Sequence, residues 1–141
     1  MKKIFIASDH AGYNLKSAII KKFTKIIKFQ DLGTNSSKKS VNYTEYAHKL
    51  CKIILKNKSN IGILICGSGM GMAMAANKHK KIRAALCYSV KNTKLSRLHN
   101  NANVITLGGR LINKKIAFNC INAFLTTKFE GGRHIKRVKK I

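Results

Sequence analysis

The apolar positions of this 141-residue chain fall into five short runs separated by longer amphipathic stretches. Lys3–Ser8 (KIFIAS), Ile27–Leu32, Ile61–Ile65, Ile82–Cys87 and Asn103–Leu107 have the length and content of buried strands. Between them the period becomes helical. From Asn14 to about Ile26, Leu15, Ile19, Phe23 and Ile26 recur on one face, which predicts that Lys16, Lys21, Lys22 and Lys25 lie largely on the other. Tyr43 to about Asn57 carries Tyr43, Ala47, Leu50 and Ile54 on one stripe. A helix is expected to follow the third strand to about His79, a short one over Val90–Leu98, and a last full one from Asn113 to about Thr127. Thr34–Val41 reads as a polar loop, and Gly131-Gly132 opens a basic tail.

Strands alternating with helices predict an α/β fold: a five-stranded parallel sheet with helices on both faces. At this length residues 1–141 make one domain. In such folds ligands bind beyond the carboxyl ends of the strands, near the point where the strand order reverses. Asp9-His10, Cys66–Gly71, His99-Asn100 and Arg110 all follow strands or their connections, so they are expected to converge on one sheet edge.

The most concentrated signal is Ile61–Ala76, IGILICGSGMGMAMAA. A buried strand runs into Cys66, then into Gly67, Ser68, Gly69, Met70 and Gly71, and then into small residues that favour helix. Such a turn aims backbone N–H groups and a helix N-terminus at one small volume, where an anionic oxygen can sit. The dinucleotide fingerprint fails here. Its third glycine comes one position early, and no acid stands near Leu86–Tyr88 to hold a ribose. A Walker loop fails too, because no Gly-Lys-Ser/Thr follows.

Charge complicates the picture. Twenty-nine basic residues face four acidic ones, a net charge of +25. That invites a nucleic-acid or anionic-lipid partner, but the lysines are spread over nearly every segment with no interleaved aromatics. A compositional bias explains them better than a partner does, so nucleic acid is not the expected ligand. Only five of the bases are arginines, which makes Arg133 and Arg137, one helical turn apart, the informative pair. Two guanidinium forks suit a phosphate; a solvated basic tail is the alternative. No apolar run reaches the ~18–20 residues of a membrane span, and the N-terminal run ends at Asp9, too soon for a signal peptide. Cys51, Cys66, Cys87 and Cys120 lack the paired spacing of metal or redox sites, which points to free thiols and a cytoplasmic protein.

Cys66 is the candidate base or nucleophile, since it precedes a helix N-terminus; the other three cysteines lie in apolar patterns. Asp9 either contacts a hydroxylated ligand or caps the following turn. His99 and Asn100 sit in a polar connection, while His48 and His79 read as exposed helical residues and His134 as a residue of the basic tail.

Taken together, ASDHAG (Ala7–Gly12), ICGSGMG (Ile65–Gly71), AANK (Ala75–Lys78), RLHNNANV (Arg97–Val104), GGR (Gly108–Arg110) and FEGGRH (Phe129–His134) make the chain resemble the ribose-5-phosphate isomerase B family, which also contains the galactose-6-phosphate isomerase subunits. The resemblance runs nearly end to end. It implies a three-layer Rossmann-like fold and interconversion of an aldose phosphate with its ketose, with no metal or cofactor. Residue by residue, it implies Cys66 as the base moving a proton between C2 and C1, and His99 as the acid that helps open the furanose. Asp9, His10, Tyr43 and Asn100 match substrate contacts, and Gly67, Ser68, Gly69, Met70 and Gly71 match the loop holding the enediolate. Arg110, Arg133 and Arg137 match substrate- and phosphate-binding arginines. Relatives build the site at a dimer interface, so the resemblance implies a homodimer, or a tetramer of such dimers. Two departures stand out. One branch uses a glutamate where this chain has Met72, which leaves Cys66 as the loop's only base, and the proline common after the tyrosine is Thr44 here. A six-carbon aldose 6-phosphate, allose or galactose, is the alternative substrate; a basic nucleic-acid-binding protein on the same fold is the alternative of another class.

Overall fold

The computed structural model describes residues 3–141, so the first two positions of the N-terminal segment lie outside it. Five strands, β1 (Ile4–Ser8), β2 (Phe29–Asp31), β3 (Ile61–Cys66), β4 (Ala84–Leu86) and β5 (Val104–Gly108), form one sheet of order β2-β1-β3-β5-β4. Every pairing is parallel. The expected strands are all present, but β2 and β4 are shorter than their apolar runs. Both are edge strands, paired on one side only, so the ends of each run have no ladder to join.

The helices are α1 (Tyr13–Phe23), α2 (Tyr43–Ile54), α3 (Met70–Ala76), α4 (Val90–Leu98), α5 (Lys114–Thr126) and α6 (His134–Val138). Residues of β1, β3 and β5 alternate between two cores. Ile4, Ile6, Ile63, Ile65 and Ile105 pack with α1 and α5, whereas Phe5, Ala7, Leu64 and Cys66 pack with α2 and α3. Period-2 alternation thus builds the three-layer, Rossmann-like α/β fold expected.

Helix α1 departs from its predicted face. It ends at Phe23, which leaves Ile26 exposed, while Lys16, expected in solvent, is fully buried. Its ammonium reaches Asp31 Oδ1 and the Thr34 carbonyl, both at 2.6 Å. A buried lysine is tolerable only with such partners, and here it ties α1 to the end of β2. The basic segment after Gly131-Gly132, expected as a tail, forms α6. Among the described residues no helix is long and apolar enough to cross a membrane.

Candidate active site

The strand order reverses between β1 and β3, whose carboxyl ends lie side by side with Ser8 opposite Ile65. Each end feeds one half of a loop cluster. After β1, the Asp9 N–H donates to the Ile65 carbonyl at 3.2 Å. The Asp9 carboxylate, 5% exposed, accepts from the Gly12 N–H at 3.0 Å. The capping role considered for Asp9 is therefore real, and it leaves the second carboxylate oxygen for another donor. His10 Nδ1 accepts from the Val41 N–H at 3.2 Å, which pins the loop that delivers Tyr43.

After β3, Cys66 is 4% exposed and the turn folds back on it, so that the Gly69 N–H donates to its Sγ at 3.1 Å. A thiolate fills that acceptor role better than a thiol. The other three cysteines lie elsewhere. Burial pushes the Cys51 thiol up to about 12 and the Cys87 thiol up to about 11, and raises Cys120 as well, so they stay protonated. Ser68 Oγ accepts the Met70 N–H at 3.2 Å. The first-turn N–H groups of Gly71 and Met72 have no acceptor among the described residues, as expected at a helix start.

Two more elements close on this turn. From the end of β5, the Gly109 N–H donates to the Cys66 carbonyl at 2.8 Å and the Arg110 N–H to the Gly67 carbonyl at 3.0 Å. The Arg110 side chain lies so near Gly67 that a β-carbon there would stand 3.5 Å from its Cδ. From the start of α2, the Tyr43 ring covers Gly71, where a β-carbon would come within 2.6 Å of the ring. Asp9, His10, Tyr43, Gly67–Gly71, Cys66 and Arg110 are thus gathered at one sheet edge.

Gly69 fixes the turn. Its φ is 77°, and a β-carbon would stand 2.7 Å from Leu86 Cδ1 and 2.8 Å from the Leu107 carbonyl carbon. Backbone cannot move aside as a side chain can. Gly69→Ala is expected to cost roughly 1–3 kcal/mol, lowering the melting temperature by about 2–4 °C per kcal/mol, and to displace the N–H that faces Cys66. Thermal unfolding beside turnover checks this; an unchanged melting temperature would contradict it.

The remaining candidates do not join this cluster. His99 caps the end of α4 and Asn100 follows it, both ahead of the first residue of β5. They therefore sit at the amino edge of the sheet, while Cys66, opposite Gly108, sits at the carboxyl edge. The length of β5 separates them, about 13 Å at about 3.3 Å per residue. The expected convergence on one edge within a single chain does not occur.

At the amino edge a second cluster forms. The His99 and His134 rings stack at 4.3 Å with planes 15° apart, and each Nε2 stands 3.7 Å from Glu130 Oε2. His134, expected in an exposed tail, is 5% exposed. Arg133 caps α6 and Arg137 lies in its last turn. The Arg97 guanidinium holds the assembly together: Nε donates to the Thr127 carbonyl at 3.2 Å and Nη1 to the Ala102 carbonyl. Sequence reasoning missed Glu130 and Arg97. The signal available for Glu130 was its rarity, one of four acids in the chain. His48 and His79, assigned no role, are half-buried and joined at 2.7 Å between Nδ1 and Nε2.

Comparison with known proteins places this geometry. The family described as Ribose/Galactose Isomerase matches residues 4–141. Ribose-5-phosphate isomerase B of Escherichia coli (strain K12) is 38% identical over 142 residues, covering 100% of this chain and 95% of that protein. A ribose 5-phosphate isomerase structure from Thermotoga maritima superposes with a TM-score of 0.95 at 47% identity, covering 99% of this chain and 96% of that one. The Mycoplasma genitalium ribose-5-phosphate isomerase B, solved with bound ribulose-5-phosphate, has a TM-score of 0.93 at 42% identity over 98% and 92% of the two chains.

Proposed function

The chain belongs to the ribose/galactose isomerase family, and from that premise we propose that it interconverts ribose 5-phosphate and ribulose 5-phosphate by proton transfer through an enediolate. The observation that carries this reading is the Cys66 turn. It puts a single uncommitted sulfur against the Gly69 N–H, with the open N–H groups of Gly71 and Met72 in the following turn. The ligand in the Mycoplasma genitalium relative supports the five-carbon substrate.

In the forward direction Cys66, as thiolate, takes the C2 proton of the open-chain aldose. The electron pair left behind forms the C1–C2 double bond, and the former carbonyl oxygen becomes the enediolate oxygen. Backbone N–H donors of Gly67–Gly71 stabilise that charge; one such donor is worth about 3–4 kcal/mol where measured. Transfer of the O2 proton to O1, with return of the proton from Cys66 to C1, turns C2–O2 into the carbonyl and gives the ketose. Asp9, His10, Tyr43 and Arg110 orient the chain of hydroxyls.

The acid half comes from a second copy. In a homodimer, His99, Asn100, Arg133 and Arg137 of one protomer face Cys66 of the other, His99 opening the furanose and the arginines holding the phosphate. The apolar surface around the turn supports this, since Met70 is 47%, Met74 69% and Leu111 65% exposed in the single chain. Four free thiols suit a reducing cytoplasm.

Arg137→Ala is expected to raise KM for ribose 5-phosphate about ten-fold or more, since a charge-assisted hydrogen bond is worth about 1.5–3 kcal/mol, with a smaller change in kcat. Initial-rate kinetics check it. An unchanged KM returns Arg137 to a solvated helix.

A further inference from the structure

We propose that a cavity at the amino edge of the sheet, between the ends of α2 and α4, is a second anion site that takes a small phosphate-bearing molecule. It encloses about 520 Å³, within the range of small-molecule pockets, and opens beside Ile61, the first residue of β3. None of His99, Arg133 and Arg137 lines it. Within the chain, Cys66 lies at the far end of β3, about 17 Å on at about 3.3 Å per residue.

The cavity is built on two of the chain's few arginines. Arg97 is 9% exposed, yet its donors meet only uncharged acceptors. Nε bonds the Thr127 carbonyl, and Nη1 bonds the Ala102 carbonyl and, at 3.4 Å, Asn101 Oδ1. Half-buried Arg83 is held in the same way, with Nε on the Asn101 carbonyl at 2.8 Å and Nη1 on the Lys81 carbonyl at 3.2 Å. The Nη2 group of each arginine has no acceptor among the described residues. The two guanidinium groups also feel one another. Burial pulls both down from the usual arginine value, and the charge of Arg83 pulls Arg97 further. Both remain charged at neutral pH.

A charge withdrawn from water calls for a counter-charge, and the protein supplies none here. None of its four acids lines the cavity, and no lining base makes an ion pair among the described residues. Instead, exposed Lys58 and Lys81 add two more positive charges. The carboxyl ends of α2 and α4 offset part of this, at about half a negative charge each. Two half-charges fall well short of four cations. The balance must come from solution, and paired guanidinium forks with free amino groups match the oxygens of a phosphate. Scattered surface lysines elsewhere on the chain lack both the burial and the enclosure.

The test is titration calorimetry with inorganic pyrophosphate, at fixed ionic strength, on the full chain carrying Arg133→Ala and Arg137→Ala. That background lacks the arginine pair assigned to the substrate phosphate. One saturable pyrophosphate per chain is expected. Adding Lys58→Gln and Lys81→Gln, both at exposed positions, should weaken it about ten-fold or more. Adding Lys21→Gln and Lys22→Gln instead removes the same charge from the exposed face of α1 and should leave affinity within about two-fold. Adenosine 5′-diphosphate in place of pyrophosphate identifies the source of the phosphate. Equal or weaker binding marks the free anion as the ligand, and tighter binding marks a diphosphate ester. Absence of saturable binding overturns the proposal. So does an equal loss from the two lysine pairs, which would mark a response to net charge alone. No arm reads turnover, so failure of the isomerase reading leaves this result untouched.

Discussion

Cys66→Ala is expected to abolish turnover of ribose 5-phosphate, by at least the ~10²–10⁴-fold that a positioned base supplies, while ribulose 5-phosphate still binds. No neighbour can take over the proton. Met72 is fully buried on α3 and its thioether has no exchangeable proton. Asp9 turns one oxygen to the Gly12 N–H and, in the proposed reading, the other to the substrate hydroxyls, and the other cysteines are held protonated in the two cores. Folding should survive, since the change removes one small group at the end of a strand whose other inward residues remain. Titration calorimetry with ribulose 5-phosphate tests binding, and Cys66→Ser separates geometry from acidity, because a serine hydroxyl fits the Gly69 N–H but is a far weaker acid than a thiol. Near-normal kcat in the alanine variant would sink the assignment of the base.

The sequence made the layers and the base loop legible, because those features are local. Alternation in Phe5–Ala7 and Ile63–Ile65 records two covered sheet faces, and the glycines after Cys66 record a turn with no room for side chains. What stayed hidden depends on pairing across the chain. Nothing in KIIKFQDL tells that β2 is an edge, nor that Asp31 reaches back to bury Lys16, an ion pair set by tertiary placement against the helical pattern. His99 is different. It follows a helix and precedes a strand, which in a parallel sheet puts it at the amino edge, so its place was legible in the element order and grouping it with residues that follow strands was the error; the register of β5, with Val104 beside Gly62 and Gly108 beside Cys66, shows the outcome. Glu130 escaped notice because its meaning lies in two histidines brought together by α4 and α6.

That register carries the second large prediction. If one site draws Cys66 from one protomer and His99 from the other, two inactive proteins should rescue each other. Cys66→Ala and His99→Asn, each folded and each nearly inert, combine in a heterodimer so that one of its two sites pairs an intact Cys66 with an intact His99, while the other site loses both. Random mixing after denaturation and refolding should therefore restore about a quarter of wild-type activity, and a heterodimer isolated through two affinity tags about half, as the two-fold relation of a closed dimer requires. Rescue cannot arise within one chain, since β5 holds the two residues at opposite sheet edges and no side-chain rotation spans that distance. An isolated heterodimer that stays inactive, from variants that each unfold as cooperatively as wild type, would show that the acid and the base do not meet across a dimer. His99 would then be left without a reaction to serve.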